Sequence, residues 1–442
     1  MKYRYRSDEE MKDSGVEWIG KIPKDWEIKK LKYITFCEDE KRIPLSSEER
    51  GKKEGKIPYW GANSIIDYID EYLIDYEVIL IGEDGAPFFD KYKDVAFYSN
   101  EKIWPNNHVH ILKARNNMNP RFIVKALNIV DFKNYIKGST RDKLTQTDMK
   151  EILIQTPFIK EQNKIANFLD KKTSNFDSII SKKEKSIEKL EEAKKSLISE
   201  VVTGKVKVVK NGEDFEIVKR NDSEMKDSGV EWIGKIPKDW EVKRLKNVLL
   251  KIGSGKTPKG GAEVYQEKGV LFIRSQNVYN SGLKMEDIVH ISEEIDGEMK
   301  NSRVYKNDVL LNITGASIGR SSIFEENAKA NVNQHVCILR PNKKYINSKI
   351  LNKIIQSGYI QNQIKSVQNG SSREGLNFEQ IGNMKFIIDT NIENQKIINS
   401  YLDKEIENIY RIIELTKVQI EKLKEAKQAL ISEAVTGKIE IL

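Results

Sequence analysis

Three polar loops in the second half of the chain carry side chains of the kinds that recognise base edges and phosphates. Arg274, Gln276 and Asn277 stand in the first, Ser317 and Arg320 in the second, and Asn333 and Gln334 in the third. Arginine pairs with guanine edges, asparagine and glutamine with adenine edges, and small hydroxyls with phosphate oxygens. Upstream, IGSGKT adds Ser254, Lys256 and Thr257. That stretch fails as a nucleotide-binding P-loop. The G-x-x-x-x-G-K-T spacing places a glycine where Leu250 stands, and Pro258 interrupts the helix that should follow. The first half offers Trp60, Asn63, Asp84, Asn107, His108, Ser139, Thr140, Arg141 and Lys143 as its own polar set. Ser371, Ser372 and Arg373 complete the second half's set, in a Gly-Ser-Ser-Arg loop that matches Gly138–Arg141. All of these are expected to face DNA.

Other chemistry fails for want of partners. His108 and His110 alternate along a strand-like run, which would put two imidazoles on one face and begin a metal site. The second half has His335 and Cys337 at the same place, and no further ligand cluster completes either set in a chain with four histidines and two cysteines. The expected reading is core or loop histidines and no bound metal. No G-x-S-x-G elbow or H-E-x-x-H pair is present. No catalytic constellation is therefore expected.

These loops need a scaffold, and the chain writes its scaffold twice. EMKDSGVEWIGKIPKDWE runs from Glu10 to Glu27 and recurs unchanged from Glu224 to Glu241. Ile187–Lys205 returns as Ile420–Lys438 with fifteen of nineteen positions identical. Between these flanks the middles share only landmarks: Asn107-His108-Val109 with Gln334-His335-Val336, and Leu144 with Leu376. Held flanks and divergent middles imply one scaffold presenting two different working modules.

The C-terminal flank of each repeat reads as a long helix. Leu169, Phe176, Ile180, Ile187, Leu190 and Leu197 lie on a heptad seam interrupted by Lys183 and Lys194. Leu402, Ile409, Ile413, Ile420, Leu423 and Leu430 repeat it, interrupted by Thr416 and Lys427. Such a stripe pairs as a coiled coil, and the simplest partner is the other copy. The interrupting lysines either fix register or extend to solvent. Pro157 precedes the first helix, and Gly204 and Gly437 stand where a left-handed cap would end each one. About 40 residues make a rod of roughly 60 Å.

The middles read as mixed modules. Strands are expected within Tyr72–Asp90, Val109–Ala114, Gly269–Val278, Asp308–Phe324 and His335–Pro341, and short amphipathic helices at 120–130 and 347–357. The expected fold class is α+β: two globular domains of mixed α/β structure, each followed by a long helix, the helices pairing as an antiparallel intramolecular coiled coil. The expected boundaries are 1–157 for the first domain, 158–205 for its helix and 206–223 for a linker. The second domain takes 224–389 and its helix 390–442. Residues 28–157 carry 21 basic and 20 acidic side chains, whereas 242–389 carry 22 and 14. Nearly all of the chain's net charge of +8 therefore lies in the second module, which suits a phosphate-bearing partner.

Across 442 residues, 38% hydrophobic and 32% charged, there is apolar material for several cores. Two cysteines exclude a disulfide framework, and no apolar run approaches the ~20 residues of a membrane span. A soluble, cytoplasmic, multidomain protein with no membrane partner is expected.

The order of elements resembles that of the DNA-specificity (S) subunit of type I restriction-modification systems. The carrying residues are DSGVEWIGKIPKDWE in both copies, ISEVVTGK and ISEAVTGK at the helix ends, Ile57–Pro87 in the first module, and KIGSGKTP and NVNQHVCILRP in the second. The resemblance covers nearly the whole chain. It implies that the modules are target recognition domains, each reading one half of a bipartite, asymmetric site in double-stranded DNA. It also implies that the helices space the halves and dock two methyltransferase (M) subunits. Those partners would bring S-adenosylmethionine and methylate adenine. Restriction (R) subunits, where present, would add ATP- and Mg-dependent translocation and cleavage. No cofactor is expected on this chain, whose Asn/Asp-Pro-Pro-Tyr/Phe methyltransferase signature is missing. The reading from a different class is a bivalent coiled-coil scaffold that binds proteins without DNA specificity.

Overall fold

The computed structural model describes residues 2–136, 142–368 and 375–442. Ser139, Thr140, Arg141, Ser371, Ser372 and Arg373 lie outside the described residues. The chain divides into two compact units, Met1–Lys185 with Thr416–Leu442, and Ser186–Leu415.

In unit 1 the central sheet has four strands, β1 (Thr35–Cys37), β2 (Val78–Gly82), β3 (Ala96–Ser99) and β4 (Val109–Ala114), in the spatial order β1-β4-β2-β3. Every neighbour is antiparallel. All five residues of β2 are buried, as a central strand covered on both faces requires. Helix α1 (Pro120–Leu127) starts with proline at its first position and Asn119 accepting the Phe122 amide at 3.1 Å. Its apolar face closes one side of the sheet through Ile123, Val124, Ala126 and Leu127. A three-stranded sheet of Glu54–Trp60, Ile65–Ile69 and Trp104–Pro105 adds three more strands, and Glu27–Lys30 pairs with Leu153–Thr156.

Two long helices follow the modules, α2 (Ile159–Val202) and, at the end of the chain, α4 (Ile392–Val435). Unit 1 takes the first part of α2 and the last part of α4. Ile165, Phe168 and Leu169 pack there with Ile431, Ala434 and Val435 on Ile19, Ile22 and Trp26 of the repeated segment. Lys427 donates to Asp177 at 2.6 Å and Lys183 to Gln419 at 2.6 Å.

Unit 2 repeats the plan. Its sheet of β5 (Leu249–Ser254), β6 (Val309–Asn312), β7 (Ser321–Ile323) and β8 (Val336–Pro341) has the order β5-β8-β6-β7, again antiparallel throughout. Helix α3 (Ser348–Gln356) occupies the place of α1 and is capped by Asn347. A second sheet joins Val289–Ile291, Val270–Ile273, Ala330–Val332 and Arg303–Val304. Ile198, Val201 and Val202 from the end of α2 pack with Ile398, Leu402 and Ile406 of α4 on Ile233, Ile236 and Trp240. The Lys194 ammonium lies 4.4 Å from the Tyr410 ring centroid.

Two expectations change. The boundary between units falls inside both long helices, not at their ends. Residues 206–223, expected as a linker, hold a hairpin of Val206–Asn211 and Asp214–Lys219, whose Val206, Val208 and Phe215 pack on the unit 2 core. On the seam, Leu169, Leu402, Ile413 and Ile420 are buried, while Phe176, Ile180, Ile187, Leu190, Leu197, Ile409, Leu423 and Leu430 are half-buried. The interrupting lysines 183, 194 and 427 meet polar or aromatic partners on the other long helix, in solvent-exposed pairs for Lys183 and Lys427 and a part-buried one for Lys194. Among the described residues, no helix is long and apolar enough to cross a membrane.

Candidate nucleic-acid interface

In unit 1, three segments meet where β2 ends and β4 begins, because Gly82 pairs with Val109. The Glu83 amide donates to the His108 carbonyl at 2.9 Å, and the Leu144 amide to the Glu83 carbonyl at 2.7 Å. The turn after β2, the turn before β4 and the segment at Leu144 are thus laced together by backbone. A fourth segment joins through Asn106, whose amide donates to the Trp60 carbonyl at 3.0 Å. Trp60 is half-buried, its ring 5.3 Å from that of Phe97, while Asn63 in the following turn is exposed.

Side chains reinforce the junction. His108 Nδ1 lies 2.6 Å from Asp84 Oδ1, and Lys143 pairs with Glu83 at 3.1 Å beside Arg42, which also binds Glu83. Beneath them His110 is buried, with Nδ1 at 2.7 Å from Asp39 Oδ2 and Nε2 at 2.9 Å from the Leu144 carbonyl. Asp39 also accepts the Ile111 amide at 2.9 Å and Gln146 at 3.1 Å. Burial works to raise the Asp39 carboxyl pKa, but the His110 hydrogen bond and charge and these added donors outweigh it and hold the group well below the usual carboxylate range. Asn107 and Lys143 are exposed at the rim.

Unit 2 uses the same junction with other side chains. Asn312 pairs with Val336, the Ile313 amide donates to the His335 carbonyl at 3.0 Å, and the Leu376 amide to the Ile313 carbonyl at 2.9 Å. His335 Nδ1 lies 2.6 Å from Thr314 Oγ1, the counterpart of Asp84, and its Nε2 lies 3.1 Å from Gln334 Nε2. Thr257 Oγ1 donates to Gln334 Oε1 at 2.5 Å. Backbone bonds from Gly255 to the Asn333 carbonyl at 3.2 Å and from Asn333 to the Ile273 carbonyl at 3.1 Å bring the Ser254–Thr257 and Arg274–Asn277 loops alongside. Asn312 is fully buried and ties the Gly315–Arg320 turn in place, its Nδ2 donating to the Ser275 carbonyl at 2.8 Å and to Ser317 Oγ at 3.1 Å.

Those of the sequence-identified residues that the structure describes therefore gather in two equivalent places, one per unit. Lys256, Thr257, Gln276 and Gln334 are exposed, and Ser254, Ser317 and Asn333 half-exposed. Arg320 stacks on Tyr279 at 4.9 Å, and Arg274 on Tyr265 at 5.6 Å while donating to the Asp287 carbonyl at 2.9 Å. Asn277 is a correction. Its side chain is fully buried, accepting the Arg274 amide at 3.0 Å and donating to the Lys284 carbonyl at 3.1 Å, so it builds the turn and has no face to offer DNA. Thr314 and His335 were absent from the set, as were Arg42, Glu83, Asp39 and His110. Aligning Asp84-Gly85-Ala86 with Thr314-Gly315-Ala316 was the available signal for the first. Among the described residues, no group of three or more His, Cys, Asp or Glu is placed to hold a metal.

The type I restriction modification DNA specificity domain matches residues 23–189 and again 237–425. The chain is 25% identical over 437 residues to the type I restriction enzyme MjaVIII specificity subunit of Methanocaldococcus jannaschii, covering 95% of this chain and 94% of that protein. It is 32% identical over 164 residues to a putative type I restriction enzyme specificity subunit of Haemophilus influenzae, a match spanning 37% of this chain and 39% of that protein. Its fold matches a chain from a structural study of assembly and conformational transition in the type I restriction-modification system. That match has a TM-score of 0.65 at 14% identity and covers 94% of this chain and 99% of the other. With two copies of the domain occupying most of its length, the chain belongs to the family of type I restriction-modification DNA-specificity subunits.

Proposed function

We propose that each unit reads one half of a bipartite, asymmetric site in double-stranded DNA. The observation that carries this is one backbone junction, with a histidine at the same place, built twice with different neighbours: Asp84 and Asn107 against Thr314 and Gln334. Identical frameworks with different reading groups suit two different half-sites, not a palindrome. The helices α2 and α4 pair antiparallel and set the half-site spacing. Supporting this, partners on α4 descend as those on α2 rise: Asp177 with Lys427, Lys183 with Gln419, Lys194 with Tyr410.

The chain docks two methyltransferase subunits, and restriction subunits where the system has them. Lys12, Asp13, Glu17 and Lys24 are exposed, as are their identical counterparts Lys226, Asp227, Glu231 and Lys238. Packing does not require exposed charges to match, whereas binding the same partner twice does. Chemistry is then the partners' work: they bring S-adenosylmethionine for adenine methylation, and ATP and Mg where restriction occurs, and this chain supplies DNA specificity without catalysis. The test is base-resolution adenine-methylation mapping in cells carrying this chain with its methyltransferase partner, against cells lacking the chain. A chain-dependent bipartite motif is expected; an assembled complex that yields none overturns the reading.

A further inference from the structure

We infer that His108 and Gln334, at neighbouring positions of the shared framework, are the base-reading residues of the two units, with His108 accepting a hydrogen bond through Nε2 from an exocyclic amino group in the major groove. The inference rests on the DNA-reading function proposed above and assigns its specificity to particular atoms.

The strand register makes the positions comparable. Val109 pairs with Gly82 and Val336 with Asn312, so His108 and His335 each stand one residue before the strand, facing Asp84 and Thr314 after the partner strand. In unit 1 the Asp84 carboxylate accepts from Nδ1 at 2.6 Å, which puts a proton on Nδ1 and makes Nε2 the nitrogen able to offer a lone pair. The His108 side chain is 42% exposed, and among the described residues nothing hydrogen-bonds its Nε2. Exocyclic amines of adenine (N6) and cytosine (N4) are the donors the major groove offers to such an acceptor.

Unit 2 holds its histidine in the same tautomer but covers it. Gln334 Nε2 donates to His335 Nε2 at 3.1 Å, so Nδ1–H is the donor to Thr314 Oγ1. The exposed group is now Gln334, fixed from both ends by Thr257 and His335. Those two bonds use one N–H and one lone pair of its amide, leaving one of each. A donor beside an acceptor matches adenine N7 and N6. Asn107 stands at Gln334's position in unit 1 and makes no such bond to the ring. The two units thus present different hydrogen-bond patterns from one framework.

The experiment maps adenine methylation by the assembled complex carrying His108→Ala, His108→Gln or Gln334→Ala, and measures binding of the unaltered complex to duplexes lacking single exocyclic amines. For these, purine replaces adenine and 2-pyrimidinone replaces cytosine, which separates the two amine sources. His108→Ala should relax one position in one half-site, and Gln334→Ala one position in the other. His108→Gln, which keeps an acceptor, should retain the amine-bearing base. Removing the amine at the position relaxed by His108→Ala should weaken binding of the unaltered complex roughly 5- to 150-fold. An unchanged motif in His108→Ala, relaxation in His108→Gln, or no effect of removing any half-site amine overturns the assignment while leaving the DNA-reading function standing. Absence of any motif with the unaltered chain overturns that function itself.

Discussion

The amide of Leu442 donates to the carbonyl of Lys2 at 3.0 Å, so the end of the chain is hydrogen-bonded to its beginning. Tyr3 pairs antiparallel with Ile441, as Ile217 pairs with Val208 in the hairpin after α2. The repeat offsets carry one pair onto the other, so the termini stand where the hairpin turn stands in the other unit. A circular permutant that opens the chain between Gly212 and Glu213 and joins Leu442 to Lys2 through about three turn residues should fold. Exchanging one short loop for another should change stability by less than about 1 kcal/mol. Urea denaturation and methylation mapping check this; a permutant that unfolds early or loses the motif contradicts it.

Gly437 has φ +73° after α4, and a Cβ there would come within 2.5 Å of Pro23 and 3.0 Å of Trp26. Gly204 has φ +69° after α2 and meets Pro237 and Trp240 in the same way, at 2.4 and 3.1 Å. Left-handed backbone strain and overpacking act together, so alanine at either position should cost roughly 2–4 kcal/mol. The measurement is the urea midpoint of each single variant. A loss below about 1 kcal/mol would mean that the proline and tryptophan yield without strain.

The buried strands were legible because short apolar runs rich in β-branched residues, such as Val78–Ile81, flanked by turn residues, favour a covered strand. The long helices were legible because their apolar seam repeats. The hairpin at 206–219 was missed although its signals were present: Val206 and Val208 alternate with lysines, and Gly212-Glu213 is a two-residue turn with glycine first. Its charged residues read as a linker until Phe215 is seen against Tyr401, ring to ring at 5.8 Å. Asn277 was misplaced because a polar side chain on a loop reads as exposed, and only tertiary packing reveals that its amide holds the turn. Asp39 and His110 are far apart in the chain, and no local pattern announces that they pair.

Gln155 is fully buried, and among the described residues neither its amide nitrogen nor its oxygen has a hydrogen-bonding partner. It pairs with Ile28 across the sheet, as Ile387 pairs with Val242 in unit 2, so the second copy places an isoleucine where the first places an amide. An unsatisfied buried polar group costs about 1–3 kcal/mol. Gln155→Ile should therefore stabilise the protein by an amount in that range, read as a raised urea midpoint. Unchanged or lowered stability would show that the site does not accept the branched side chain.

Asp39 links acid sensitivity to unit 1. Its carboxyl is held well below the ordinary value chiefly by His110, so protonation favours the unfolded chain, where the group titrates near pH 4. The stabilisation is full above that value and is lost as pH falls further toward the folded-state pKa. Asp39→Asn removes both the carboxylate and its linkage. It should cost about 3–5 kcal/mol at neutral pH, because the His110 site loses its charge partner in a buried setting. The gap between the variant and the unaltered chain should then narrow as pH drops below 4. Urea unfolding followed at neutral pH and at several acid values checks both parts. A gap that stays constant with pH would show that the Asp39 carboxyl is not the group being titrated.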